Sequence, residues 1–248
     1  MLPNKPLQWT PQRGAVDRKR AIGVDMNVSE AIETRMSCRA FLPTAVDAGT
    51  IRAILDGARR SPSGGNVQPW WVHALTGAPL AEFLDIIRAR TAAGERGDGS
   101  EYDIYPRGLG EPYRSRRFKC GEDMYAAIAV SREDKAARLQ HFARNFEFFG
   151  APVALFFCID RSMGPPQWSD LGMYMQSVML LAREHGLHTC AQEAWSLWFR
   201  TVGDFLRLPP ERMLFSGMAL GYRDENHPIN RLRTDRAPLE EFATLRGF

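Results

Sequence analysis

The segment RMSCR, residues 35–39, combines two guanidinium groups and a hydroxyl within a short stretch. Arg35 and Arg39 can form charge-assisted hydrogen bonds with a phosphate or with an electron-rich ring edge, and Ser37 adds a further donor. The same residue types also suit a solvated basic helix end, where arginine is favoured by the helix dipole. RMSCR alone is therefore weak evidence for an anion site.

A second segment, PSGGNVQPW at residues 62–70, is suited to a planar ligand. Its glycines let the backbone approach a flat surface closely, and the amide of Asn66 can both donate to and accept from a pyrimidine-like edge. An ordinary helix-to-strand turn has the same composition, so this segment is also ambiguous.

Two later segments add further candidates. AQEAW, at residues 191–195, follows an apolar stretch typical of a buried strand, whose end could offer main-chain N–H groups to a ligand. NRLRTDRAPLEEF, at residues 230–242, places Arg231, Arg233 and Arg236 before a proline near the C-terminus. Each segment alone could equally be a polar strand end or a soluble basic surface.

Taken together, in this order and at these spacings, the four segments resemble the FMN-dependent nitroreductase family from about Met26 to the C-terminus. By this resemblance Arg35 and Ser37 contact the phosphate of flavin mononucleotide (FMN), and Arg39 lies beside the N1 and O2 edge of the flavin. The family often has another basic residue where this chain has Met36, which we retain in the candidate set.

The resemblance also assigns the other three segments. Gln192, Glu193 and Ala194 match the position where a main-chain N–H donates to flavin N5, and Arg236, with Arg233 as the second choice, matches a phosphate-binding arginine. The loop residues expected to line the isoalloxazine from the dimer partner's side are Pro62, Ser63, Gly64 and Asn66.

The hydrophobic pattern alternates between helices and strands and contains no internal repeat, which predicts one α+β or α/β domain with a single sheet. The resemblance narrows this to an α+β fold, with a mostly antiparallel sheet between helices in an αβα sandwich, and to an intertwined homodimer. We expect a flexible N-terminal arm over residues 1–24 and a single domain over residues 25–248. The stretch 92–121 has little periodicity and is rich in Gly, Arg and Tyr, as in a lid or binding loop.

Composition excludes several other classes. The 32 basic and 29 acidic residues nearly balance, so nucleic acid is not an obligatory partner, and the apolar runs are far shorter than the roughly 20 residues that span a bilayer. Four scattered cysteines favour a reducing compartment, and we expect a cytoplasmic protein. His185, His188 and Cys190 lack a fourth ligand at suitable spacing, so no metal site is expected.

The resemblance implies that FMN carries two electrons from NADPH or NADH to a small organic acceptor such as a nitroaromatic or a quinone, in a ping-pong sequence. Because the flavin carries out the redox chemistry, no dedicated catalytic side chain is expected. Two alternatives remain open at this point. One is another flavin chemistry on the same fold, such as reductive dehalogenation, flavin cleavage or oxidative dehydrogenation, and the other is a flavin-binding protein without turnover.

Overall fold

The computed structural model describes residues 26–248, so the predicted arm at residues 1–24 lies outside the described residues. The helices are α1 (Val28–Thr34), α2 (Ala48–Ala58), α3 (Gly77–Ala92), α4 (Tyr113–Ala127), α5 (Lys135–Ala143), α6 (Pro165–Glu184) and α7 (Phe199–Leu206). The strands are β1 (Trp71–Thr76), β2 (Val153–Asp160), β3 (His188–Gln192) and β4 (Arg212–Gly221).

The four strands form one antiparallel sheet in the order β1-β2-β4-β3. Strands β2 and β4 occupy the centre and are apolar along almost their whole length, as expected for strands covered on both faces. Strand β3 lies at one edge, where a short parallel bridge joins Thr189 to Ser37.

Alternate residues of β2 point into two separate cores. Ala154, Phe156 and Cys158 pack with residues of α3, α7 and the 3₁₀ turns, whereas the intervening residues of β2 pack against α2 and α6. This alternation follows from the two-residue period of a strand. The predicted αβα sandwich with an antiparallel sheet is therefore confirmed.

Local signals define several helix ends. The side chain of Asn27 accepts a hydrogen bond from the N–H of Glu30 at the start of α1, and Asp47 caps α2 in the same way. Helix α6 ends before Gly186, whose φ of 69° lies in the left-handed region that favours glycine. The chain turns there directly into β3.

The stretch from Phe142 to Phe149 differs from the periodicity of the sequence. Phe142, Phe146 and Phe149 predict one continuous helical face, but α5 ends at Ala143 and a 3₁₀ segment follows. Phe148 and Phe149 adopt left-handed φ values, and Phe148 stacks on Trp195 with ring centroids 4.5 Å apart. Burial of these rings in the core therefore overrides helix continuation.

The predicted lid segment at residues 92–121 contains both anchored and helical parts. Asp98 accepts hydrogen bonds from the N–H and hydroxyl of Thr201, and the hydroxyl of Tyr102 donates to the carbonyl of Phe215. Helix α4, which begins at Tyr113, has no buried residue. Over residues 26–248, no helix is long and apolar enough to cross a membrane.

Candidate functional site

The RMSCR segment lies against the edge strand β3. Helix α1 ends at Thr34, and Arg35 continues in an extended conformation with φ −61° and ψ 133°. The N–H of Cys38 then donates to the carbonyl of Thr189 at 2.9 Å. The segment is thus a short addition to the sheet, which fixes the direction in which its side chains leave the backbone.

The C-terminal tail meets the same segment after leaving β4. The N–H of Leu42 donates to the carbonyl of Tyr222, and the N–H of Asp224 donates to that of Ala40. Farther along, Arg233 Nη1 lies 3.5 Å from the carbonyl oxygen of Thr34. Two motifs from opposite ends of the sequence therefore converge.

Arg35, Arg233 and Arg236 form a group that we call the arginine cluster. Burial lowers the pKa of Arg35 below its usual range, and the positive charges of Arg236 and Arg233 lower it further. Within residues 26–248, none of the three forms a salt bridge with a carboxylate. Like charges are thus held together without a counter-ion from that part of the chain, which is the electrostatic signature of an anion site.

Two more arginines, Arg183 and Arg223, lie near the cluster. Neither was singled out from the sequence. Burial lowers the pKa of Arg183, and the charges of Arg223 and Arg233 contribute next. Arg183 Nη1 donates to the carbonyl of Leu187 at 2.8 Å and lies 2.9 Å from Nε2 of His188. The helix dipole favours an arginine in the last turn of α6. In the sequence, Arg183 therefore looks like an ordinary helix-end residue.

His188, in strand β3, is affected by the same positive charges. Burial is the main cause that lowers its pKa to about 3, and Arg183, Arg223 and Arg233 lower it further. Its Nδ1 atom is buried without a hydrogen-bond partner among the described residues. The described residues also contain no group of three side chains able to hold a metal ion.

Arg39 lies four residues after Arg35 in the same segment. It is half-buried, and its Nη1 atom donates to the carbonyl of Ser37 at 3.3 Å. Burial chiefly lowers the pKa of His141 to about 4, and the charges of Arg144 and Arg39 add to this effect. Arg39 also has no carboxylate in salt-bridge contact in the described part of the chain.

Met36 and Ser37, the two residues after Arg35, differ in accessibility. Met36 is buried, and its sulfur accepts a hydrogen bond from Arg223 Nη1 at 3.4 Å. Its side chain therefore packs inside the protein. Ser37 is half-buried at the bridge to Thr189, whose hydroxyl is buried and has no partner among the described residues.

The end of β3 brings the third motif close to this edge. Gln192 is buried and donates from Nε2 to the carbonyl of Asn145 at 2.7 Å, whereas its Oε1 atom has no described partner. Glu193 is exposed as a residue, yet burial of its carboxyl group raises its pKa. Glu193 and Ala194 begin a 3₁₀ turn that ends at Trp198, so main-chain N–H groups become available at this strand end.

The glycine loop, residues 62–66, lies elsewhere in the same chain. The N–H of Gly64 donates to the carboxylate of Asp170 at 3.2 Å, near the start of α6. Arg183 occupies the other end of that helix, about 20 Å away at 1.5 Å per residue. Thus one chain does not bring the loop to the arginine cluster.

The loop nevertheless presents its predicted ligand-facing residues to solvent. Pro62, Gly64 and Asn66 are exposed, while Ser63 is half-buried and accepts a hydrogen bond from the N–H of Gln68 at 3.0 Å. Asn66 has a φ of 57°, a left-handed conformation that side chains rarely adopt. The loop is held in a defined shape although its outer surface has no cover.

Two cavities, of about 490 and 370 Å³, lie beside α5. Their lining residues include Arg88, His141, Arg144 and Phe146 in the larger and Glu122 and Arg138 in the smaller. Neither cavity is lined by any of the cofactor-binding residues predicted from the sequence. The predicted site residues thus lie outside these two cavities.

The chain is similar to known proteins over most of its length. Residues 32–222 match the model of the nitroreductase family. A 4-nitrobenzoate reductase of Pseudomonas putida is 38% identical over 220 residues, which cover 88% of this chain and 94% of the relative.

Two solved structures share the fold. An FMN and NADPH-dependent nitroreductase from sphigopyxis sp. strain HMH has a TM-score of 0.87 at 47% identity, covering 90% of this chain and all of the other. An FMN-dependent nitroreductase from Mycobacterium smegmatis, solved in complex with NADPH, has a TM-score of 0.82 at 27% identity, covering 89% of this chain and all of the other. The chain belongs to the nitroreductase family.

Proposed function

We propose that this protein is an FMN-dependent oxidoreductase that uses NADPH to reduce small nitroaromatic compounds. The observation that carries the proposal is the arginine cluster, in which Arg35, Arg233 and Arg236 are gathered without a carboxylate partner in the described residues. Relatives described as a 4-nitrobenzoate reductase and as FMN and NADPH-dependent nitroreductases support this choice of substrate and cofactors.

The cluster fits the phosphate of FMN. Burial and the nearby charges of Arg236 and Arg233 make the positive charge of Arg35 unfavourable, and a bound dianion would offset both effects. Arg35, Arg233 and Arg236 would hold the phosphate, with the hydroxyl of Ser37 as a further donor. Arg39, four residues farther along the same segment, would lie beside the pyrimidine edge of the ring.

The strand end would complete the contacts within one subunit. Gln192, Glu193 and the main-chain N–H of Ala194 would face the ring, and the backbone of Met36 would contribute beside Ser37. When bound, FMN supplies the two-electron redox chemistry that no side chain of this protein can provide. The protein's own task is to hold the ring, place positive charge at its edge and leave one face open.

We infer that the functional unit is a homodimer. Pro62, Ser63, Gly64 and Asn66 would reach the cofactor from the partner subunit, because their own α6 separates them from the arginine cluster by about 20 Å. The exposed side chains of Val28 and Ile32 on α1, which are 70% and 54% accessible, supply apolar surface for such an interface.

The remaining organisation is proposed from sequence and packing together. Residues 25–248 form one domain, and the stretch 92–121 covers the site as a lid through its less anchored part after Tyr102. The protein functions in the cytoplasm without a nucleic-acid or membrane partner. The four cysteines lie far apart in the sequence, which supports a reducing compartment. The near balance of basic and acidic residues supports the expectation that nucleic acid is not a partner.

The residues around the site define its role in the reaction. Arg39 would place a permanent positive charge beside the bound ring, which would favour its reduced form. Arg35, Arg233 and Arg236 would hold the phosphate and so restrict the orientation of the ring. The nicotinamide and the nitroaromatic would use the same open face in turn, which gives ping-pong kinetics.

The direct test is purification followed by spectroscopy and assay. We expect a yellow protein with an oxidised-flavin spectrum that NADPH bleaches and 4-nitrobenzoate restores. Parallel lines in double-reciprocal plots would show the ping-pong sequence. A folded, colourless protein that takes up no added FMN would exclude the proposal, and a flavoprotein that NADPH does not bleach would exclude turnover with this donor.

A further inference from the structure

Asn230 lies at the junction between the RMSCR segment and the arginine-bearing tail. It is 4% exposed and occupies the 3₁₀ turn Pro228–Arg231, directly before the tail that carries Arg233. We propose that Asn230 is a positioning residue that sets Arg39 and the arginine cluster in the FMN-binding arrangement. This inference rests on the proposed function and assigns a role to a residue that itself contacts neither phosphate nor ring.

The carboxamide of Asn230 is fully used on the backbone. Its Oδ1 atom accepts a hydrogen bond from the N–H of Arg39 at 2.9 Å. Its Nδ2 atom donates to the carbonyls of Ala40 at 2.8 Å and Asp224 at 2.9 Å. One side chain therefore connects the backbone beside Arg39 to the tail from two directions.

This arrangement requires an amide and not merely a polar side chain. One end of the group faces an N–H donor, and the other end faces two carbonyl oxygens, so acceptor and donor must coexist in a fixed order. A carboxylate would accept from Arg39 equally well but would place a negative oxygen against the carbonyls of Ala40 and Asp224. A protonated carboxyl group could still donate to one of them.

The rest of the tail is anchored independently of Asn230. The backbone hydrogen bonds from Leu42 to Tyr222 and from Asp224 to Ala40 do not involve its side chain, and Ile229 is 1% exposed in the core. Loss of the amide should therefore leave the fold intact. Its effect should be confined to the register of the chain at Arg39 and after residue 230, where the cluster begins.

The test is Asn230→Asp, with FMN affinity of the purified protein measured by equilibrium dialysis across a pH series. Burial against two carbonyls should raise the pKa of the new carboxyl group above its ordinary value of about 3.9. We expect FMN binding to be about tenfold weaker than in the wild type once this group is ionised. The deficit should shrink as the pH falls through the raised pKa, because the protonated group restores a donor.

Asn226→Asp is the matched control, because Asn226 is exposed on the same loop and the change adds the same charge. Its affinity ratio to wild type should stay near one at every pH. Asn230→Ala should bind FMN more weakly than the wild type at all pH values, without recovery at low pH. It replaces Asn230→Asp as the test variant if Asn230→Asp does not fold. Circular dichroism and melting temperature monitor the fold of each variant.

The outcomes separate the two levels of the proposal. Equal deficits in Asn230→Asp and Asn226→Asp would reduce the effect to added charge, and wild-type affinity in Asn230→Ala would remove the positioning role. Either result would overturn the inference while the wild type still binds FMN. Absence of FMN binding by the wild type would instead refute the proposed function itself.

Discussion

Two basic regions of this protein look alike in sequence and differ in their surroundings. Helix α4 carries the run RSRRFK at residues 114–119, as rich in positive charge as RMSCR or RLRTDR. On α4, however, Arg114 pairs with Glu111 at 2.8 Å and Lys119 pairs with Asp123 at 2.6 Å. The charges of Arg114 and Lys119 are thus neutralised by carboxylates three or four residues away.

The arginine cluster has no such neutralisation among the described residues. Arg35 and the pair Arg233 and Arg236 come from two segments far apart in the chain. Burial and the charges of Arg236 and Arg233 lower the pKa of Arg35. Exposed pairs such as those on α4 contribute little to stability. An anion site is therefore indicated by arginines that lack a carboxylate partner, and not by the number of arginines in a segment.

The largest expected effect is that of charge reversal within the cluster. Arg35→Glu should weaken FMN binding more than about 100-fold, because it removes charge-assisted hydrogen bonds and adds repulsion of the phosphate. The flavin-to-protein ratio after gel filtration and the Kd for FMN measure this loss. Arg114→Glu on α4 makes the same change in charge and should leave flavin retention within about twofold. Equal losses in both variants would break the distinction between the two regions.

A smaller effect should identify the phosphate as the group that the cluster holds. Arg236→Ala should weaken FMN binding about tenfold while riboflavin, which lacks the phosphate, binds this variant and the wild type equally. Fluorescence titration with the two flavins measures both affinities. Parallel losses for FMN and riboflavin would place Arg236 at the ring or in the fold instead of at the phosphate.

The last expected effect is on stability in acid. The folded pKa of His188, about 3, is below the ordinary value of about 6.5, so the unfolded chain takes up its proton first. Its contribution to stability is therefore present above about pH 6.5 and is lost as the pH falls toward 3, by at most about 1.4 kcal/mol per pH unit.

His188→Gln should flatten that part of the pH dependence, measured by urea unfolding at a fixed FMN concentration. Some acid sensitivity should remain, because His141 also has a lowered pKa of about 4. An unchanged slope in the variant would show that the pKa of His188 is not lowered in the folded protein.

Much of the fold followed from local patterns. The four strands coincide with short apolar runs in the sequence, and Asn27, Asp47 and Gly186 mark helix ends through capping and backbone conformation. These signals succeed because their physical range is a few residues. The turn at Phe148 escaped the same reasoning, since its left-handed backbone is stabilised by stacking on Trp195, which is remote in sequence.

The candidate site divides in the same way. The sequence by itself determined which residue types are present, in what order, and hence the resemblance to one flavoprotein family. Only the tertiary structure decided that Arg35 lies with Arg233 and Arg236, and that Asn230 joins their segments. It also decided that the glycine loop lies at the far end of α6. Charge pairing and burial depend on distances between residues that are remote along the chain, and no local pattern specifies those distances.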